Sequence, residues 1–274
     1  MTSRVGGHTP RKRFGQHFLK DRAVLAAIAD AAALQPGETA VEIGPGQGAL
    51  TELLIERVRP TGRLIAVEID RDLAAGLRAR YALRPECEII EGDFLNVALG
   101  PVVRGPYTLV GNIPYNITTP IVFKALESPR PRSMVFLVQR EVAERVAAAP
   151  GTDSYGALSV NLQALATAET LRVVPARAFA PPPKVDSAVL KIVPLAAPLL
   201  PREDESSFRK LVTALFSNRR KQMQRALRSV RGLSAPEAAA ALEAADIAAT
   251  ARPEVLAPAD FARLLRVLRG PERA

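Results

Sequence analysis

The chain has almost no cysteine or histidine. Cys87 is its one thiol, which excludes an internal disulfide; beside a strand-like run it reads as a small buried apolar side chain. His8 and His17 are the two imidazoles, which argues against a histidine-built metal site, and no metal is expected. No apolar stretch approaches the ~20 residues of a membrane span, and the basic N-terminus lacks the apolar core of a signal peptide. A cytoplasmic protein with no membrane partner is the expectation. Repeats and low-complexity tracts are missing as well. Acidic residues are outnumbered, 28 Asp and Glu against 37 Lys and Arg, and the net charge of +9 favours a polyanionic partner. What is plentiful is apolar surface: 48% of 274 residues are hydrophobic, enough for one large domain with a small one beside it.

Strand-like and helix-like runs alternate from Thr39 to about Gln139, the pattern of βαβ units and a parallel sheet. Thr39-Ala40-Val41-Glu42-Ile43 is β-rich, Gly44-Pro45-Gly46-Gln47-Gly48 is a glycine turn, and Ala49 to Ile55 reads as a helix. Strand, glycine turn and helix open a nucleotide-binding unit, because glycines let the backbone approach a ligand without a Cβ in the way. The last glycine of a GxGxxG fingerprint is missing here: Ala49 and Leu50 follow Gly48. A pyrophosphate is therefore disfavoured. Glu42 before the turn points the same way, since a carboxylate repels phosphate and suits an ammonium or sulfonium group. A second strand, Leu64 to Val67, ends at Glu68-Ile69-Asp70, where a carboxylate can accept ribose hydroxyls. This set favours S-adenosylmethionine over NAD. Asp93, in Glu91-Gly92-Asp93-Phe94 after a third strand-like run, can accept from an adenine amino group, or can serve as an ordinary turn cap.

The acceptor side is written in Asn112-Ile113-Pro114-Tyr115, which closes the apolar run Tyr107 to Val110. The Asn112 amide oxygen and a backbone carbonyl can each accept from an exocyclic amine. Pro114 brings no competing N–H, and Tyr115 can stack on a flat ring, worth roughly 1–3 kcal/mol per base. Taken alone, the same residues also describe a strand ending in a proline turn.

Several segments in this order resemble the rRNA adenine N6,N6-dimethyltransferases: Gln16-His17-Phe18-Leu19, Glu42 to Thr51, Glu68-Ile69-Asp70, Gly92-Asp93, Asn112 to Asn116, and Phe179-Ala180-Pro181-Pro182-Pro183-Lys184-Val185-Asp186-Ser187. The resemblance covers nearly the whole chain and is nearest the bacterial KsgA (RsmA) branch. The Erm resistance methyltransferases share Asn-Ile-Pro-Tyr, but the triple proline before Lys184 and Phe216-Ser217-Asn218-Arg219-Arg220-Lys221 look like KsgA. It implies an α/β fold: a Rossmann-like, mostly parallel, seven-stranded methyltransferase sheet over residues 1–197, with a small helical RNA-binding domain over 198–274.

The resemblance also implies an activity, dimethylation of N6 on two adjacent adenosines near the 3′ end of 16S rRNA in the small ribosomal subunit, carried out by a monomer with S-adenosylmethionine. On that reading Asn112, Ile113, Pro114, Tyr115 and Phe179 handle the target base. Gln16, His17, Leu19, Glu42, Gly44, Gly46, Glu68, Ile69, Asp93, Phe94 and Asn112 hold the cofactor. RNA contacts fall to Arg11, Lys12, Arg13, Lys184, Arg219, Arg220 and Lys221. Residues 206–231 and 234–269 read as helical and Arg-rich, so the last three cations are expected on a positive helix stripe. Two rivals stay open. A DNA adenine methyltransferase would share Asn-X-Pro-Tyr but carry a separate sequence-reading domain. An idle RNA-binding factor would tolerate loss of Asn112 or Glu68.

Overall fold

The computed structural model describes residues 16–270 apart from Ser128. Arg11, Lys12 and Arg13 therefore lie outside the described residues. The described chain divides into two compact units: one formed by residues up to Ala143 with Ala168–Pro194, the other by Glu144–Thr167 with Leu195 onward. The first unit stops at Pro194 and not at residue 197. The second also takes in residues 144–167, because the backbone after Pro194 pairs with that stretch: Leu195 N–H donates to the Leu165 carbonyl at 2.9 Å and Leu199 N–H to Ala164 at 3.0 Å.

The first unit begins with β1 (Phe18–Leu19) and α1 (Arg22–Ala31). Asp21 caps α1 by accepting the Ala23 and Val24 N–H groups, as an N-cap carboxylate does. Alternation follows through β2 (Thr39–Ile43), α2 (Ala49–Val58), β3 (Arg63–Glu68), α3 (Arg71–Arg80), β4 (Cys87–Glu91), β5 (Tyr107–Asn112), α4 (Thr118–Ala125), β6 (Ser133–Gln139) and α5 (Arg140–Ala147). After α6 (Ala157–Gln163), which belongs to the second unit, come β7 (Ala166–Val174), β8 (Phe179–Ala180) and β9 (Ser187–Pro194). Seven strands form one sheet in the order β4-β3-β2-β5-β6-β9-β7. Strands β2 to β6 pair in parallel, and β9 returns antiparallel to β6. Every residue of β2 is buried, as are most of β3, β5 and β6. That is why these strands read as unbroken apolar runs: both faces are covered. Ile28, Leu54, Ile55 and Val58 of α1 and α2 pack on Leu64, Val110 and Val135 of the sheet.

Strand order runs outward in opposite directions from β2 and β5. Ligands in open α/β sheets bind at such a reversal, outside the carboxyl ends of the strands. Gly111 permits the close approach here. A Cβ at this position would lie 2.7 Å from the Ile43 carbonyl oxygen of β2.

The second unit contains α7 (Glu205–Phe216), α8 (Met223–Arg231), α9 (Ala235–Ala244) and α10 (Pro258–Arg269). Phe208, Leu211 and Leu215 of α7 and Phe261, Leu264 and Leu265 of α10 are buried. Arg219, Arg220 and Lys221 are exposed in the turn between α7 and α8, not on a helix stripe. At the end of α7, Ser217 Oγ and Asn218 Nδ2 bond back to the Thr213 and Ala214 carbonyls at 3.0 and 3.2 Å, side-chain bonds that compete with continuation of the helix. The stripe that does lie on a helix is Arg225, Arg228 and Arg231 of α8.

Candidate active site

The glycine turn between β2 and α2 is built around left-handed backbone. Gly46 has φ +58°, and a Cβ there would also press against the Phe18 ring at 3.1 Å. Its N–H donates to Glu68 Oε2 at 2.9 Å, while Glu68 Oε1 accepts the Asp70 N–H at 2.8 Å. Glu68 thus ties the turn to the end of β3. Burial raises its pKa above the ordinary range, and those two N–H bonds pull against the rise. A carboxylate offers about four acceptor sites, so capacity remains for a ligand hydroxyl.

Glu42, at the C-terminal end of β2, is 1% exposed, and its Oε2 has no hydrogen-bond partner. Burial pushes its pKa up to about 8, with the Glu68 charge adding to the rise. An unpaired buried carboxyl is costly, and a cation placed beside it would remove that cost.

The N-terminal segment lies across this arrangement as a strap. β1 pairs antiparallel with β8, Phe18 opposite Ala180 and Leu19 opposite Phe179. Gln16 Nε2 donates to Asp70 Oδ2 at 3.2 Å. Asn112 Nδ2 donates to the His17 carbonyl at 2.8 Å. A carbonyl only accepts, so this bond fixes which end of the Asn112 amide is NH2 and turns the acceptor oxygen the other way. His17 Nδ1 lies 2.8 Å from the Pro181 carbonyl, which assigns the ring proton to Nδ1. The His17 and Tyr115 rings face each other at 6.0 Å with 21° between their planes.

These groups line one cleft that opens to solvent, with about 930 Å³ of empty space counting the solvent at its mouth. It gathers Gln16, His17, Leu19, Glu42, Gly44, Gly46, Glu68, Ile69, Asn112, Ile113, Pro114 and Tyr115. Phe179, Asp93 and Phe94 do not line it. Phe179 is buried in the core beside Leu19 and Val174. Asp93 caps the turn that begins at Phe94 by accepting the Leu95 N–H at 3.0 Å, and Phe94 is buried. Lys184 is exposed on the loop before β9. Phe18 and Gln47, each inside a motif quoted above, also line the cleft, as do Leu25 and Ile28, which the sequence did not mark. Leu25 and Ile28 sit three apart on α1, a spacing that reads as core packing and carries no chemistry of its own.

The cleft suits a cationic nucleoside. The orphaned Glu42 oxygen could accept from an ammonium or face a sulfonium, the glycine turn admits close backbone approach, and the Glu68 carboxylate could accept from ribose hydroxyls. Among the described residues, no group of three or more His, Cys, Asp and Glu could hold a metal ion, and no helix is long and apolar enough to cross a membrane.

Over residues 7–269 the chain matches the sequence model of the family described as "Ribosomal RNA adenine dimethylase". A relative from Leptothrix cholodnii named "Ribosomal RNA small subunit methyltransferase A" is 48% identical over 224 residues, 80% of each chain. Another of that name from a Synechococcus strain is 45% identical over 268 residues, 94% of this chain and 93% of its own. Among solved structures, the 23S rRNA methyltransferase ErmE is similar at TM-score 0.71 and 32% identity, covering 92% of this chain and 99% of its own. A dimethyladenosine transferase from Plasmodium falciparum reaches TM-score 0.78 at 25% identity, covering 90% and 96%. A family model matched over nearly the whole chain and relatives at 45–48% identity together place it: the chain belongs to the ribosomal RNA adenine dimethylase family.

Proposed function

We propose that this protein transfers methyl groups to N6 of two adjacent adenosines near the 3′ end of 16S rRNA, using S-adenosylmethionine, during small-subunit biogenesis. The observation that carries the reading is the Asn112 amide. Its NH2 end is held by the His17 carbonyl at 2.8 Å, which leaves the oxygen as the acceptor end for an exocyclic amine.

When bound, S-adenosylmethionine supplies a methyl group on a positively charged sulfur. Glu42, Gly44 and Gly46 would hold its amino-acid end, Glu68 its ribose, and Gln16, His17, Leu19 and Ile69 would cover it. An adenine flipped from its stack, which costs a few kcal/mol and less in a loop, lies against Tyr115. The Asn112 oxygen and the Ile113 carbonyl accept its two N6 hydrogens. Those bonds aim the amine and stabilise positive charge as it develops. No strong base is needed, because the alkylated amine sheds its proton to solvent. Lys184, Arg219, Arg220 and Lys221, with Arg11, Lys12 and Arg13 of the N-terminal arm, neutralise rRNA phosphates. The protein works as a monomer in the cytoplasm, where the small subunit is assembled.

Mass analysis of 16S rRNA incubated with the protein and S-adenosylmethionine tests the reading. Two dimethyladenosines near the 3′ end are expected, and unmodified adenosines there would reject it.

A further inference from the structure

Ser187 has no part in the chemistry above, yet it touches the proposed base platform. It is the first residue of β9 and fully buried. Sheet register explains how it gets there. Asn112 ends β5 opposite Leu137 of β6, and two residues further along β6 Gln139 lies opposite Ser187. The Asn112–Tyr115 turn and the start of β9 therefore meet at one end of the sheet. There the Tyr115 hydroxyl lies 2.6 Å from Ser187 Oγ, across 72 residues of sequence. That separation is at the short end for an O–H···O bond. Tyr115 itself stands in a short 3-10 turn (Tyr115–Ile117) with no regular element to fix its ring. Its far edge is anchored by Ser187, and the His17 ring stands over one of its faces.

We propose that Ser187 is a positioning residue for the target base: it holds the Tyr115 hydroxyl and thereby sets the plane on which the adenine stacks before Asn112. The inference rests on Tyr115 being that platform. A buried hydroxyl needs a partner on structural grounds alone, so the test must separate anchoring from packing.

The experiment measures single-turnover methyl transfer to small-subunit rRNA for Ser187→Ala, Tyr115→Phe and the double variant, with cofactor Kd by calorimetry and a thermal melt. Either single variant should slow transfer about tenfold, the scale of one hydrogen bond, with cofactor Kd within about twofold of wild type. The double variant should be no slower than either single one. Additive losses, or an unchanged rate in either single variant, would overturn the proposal. Should Ser187→Ala fold poorly, Tyr115→Phe decides alone, because it removes the same bond and leaves the buried serine in place. Tyr115→Ala distinguishes the two levels. If it transfers at the wild-type rate, the platform reading itself fails. If it is inactive while Tyr115→Phe is unimpaired, only the role of Ser187 fails.

Discussion

Glu68 accepts the Gly46 N–H through Oε2 at 2.9 Å, so the carboxylate at the end of β3 also sets the shape of the glycine turn after β2. Replacing it with alanine removes a ligand partner and the tie in one step. Glu68→Ala should weaken S-adenosylmethionine binding by about ten- to a hundredfold, as expected when buried polar groups lose a partner worth 1–3 kcal/mol. Affinity for rRNA should change far less. Glu68→Gln should fall between, since its amide offers one acceptor oxygen but sets a donor against a donor. Calorimetry showing unchanged cofactor affinity in the alanine variant would remove Glu68 from the site.

Glu42 links stability to pH. Its carboxyl titrates near 8 in the fold against an ordinary value of 4.5. Between those values the folded protein keeps a proton that the unfolded chain has released. Stability is therefore fully present below about 4.5 and is lost as pH rises through about 8. Glu42→Gln keeps the shape and does not ionise. Its melting temperature should exceed that of wild type by a margin that widens from pH 5 to pH 8.5, while its cofactor affinity falls. At pH 7 a cationic ligand should expel the wild-type proton, visible as a dependence of binding heat on buffer ionisation that the glutamine variant lacks. Parallel melting curves at all pH values would contradict the assignment.

Asn112→Ala should reduce methyl transfer by roughly 10²–10³, the usual cost of losing one preorganised polar group. The bond to the His17 carbonyl adds a second effect: the strap loses one tie, so cofactor affinity should drop modestly, by about two- to tenfold for one neutral hydrogen bond. Asn112→Asp should be the more damaging for the strap, since a carboxylate would face a carbonyl. Wild-type turnover on rRNA by either variant would reject the role given to Asn112.

Charge reversal at Arg219, Arg220 and Lys221 should weaken rRNA binding and leave cofactor affinity intact. The three cations are exposed in a turn and cover no core, so the melting temperature should hold. Each phosphate that the variant no longer neutralises should flatten the log–log salt dependence by about 0.7 to 0.9. Titrations at several salt concentrations check this. An unchanged slope with a lowered melting temperature would instead mean that these residues serve the fold.

The parallel sheet was legible because its central strands are covered on both faces, as at Thr39–Ile43 and Ser133–Gln139, the first of them with Gly37 before it and Gly44 after it. The cleft was legible through Glu42, Gly44, Gly46, Glu68 and Asn112, whose chemistry shows in residue type and position. Contacts that join distant segments left no such trace. A pairing of two residues, Phe18–Leu19 with Phe179–Ala180, is too short to show alternation. The second role of Glu68 depends on a backbone N–H, which no residue type announces. Phe179 could be read either as a stacking ring or as core, and the structure puts it in the core. Asp93 could be read as a ligand or a cap, and here it caps. The end of α7 was missed because Ser217 and Asn218 compete with a helix only when their side chains turn back onto it.

The strap has a consequence in time. Phe18 of β1 leaves a translating ribosome before its partner Ala180, which lies 162 residues later by the register of the pair. At about 5–20 residues per second, β1 waits roughly 8–30 s for that partner to be made. The glycine turn and β5 are complete well before then. The mouth of the cleft is thus among the last parts of the first unit to take shape, followed by β9 alone. A nascent chain would meet its cofactor before the strap has a strand to pair with.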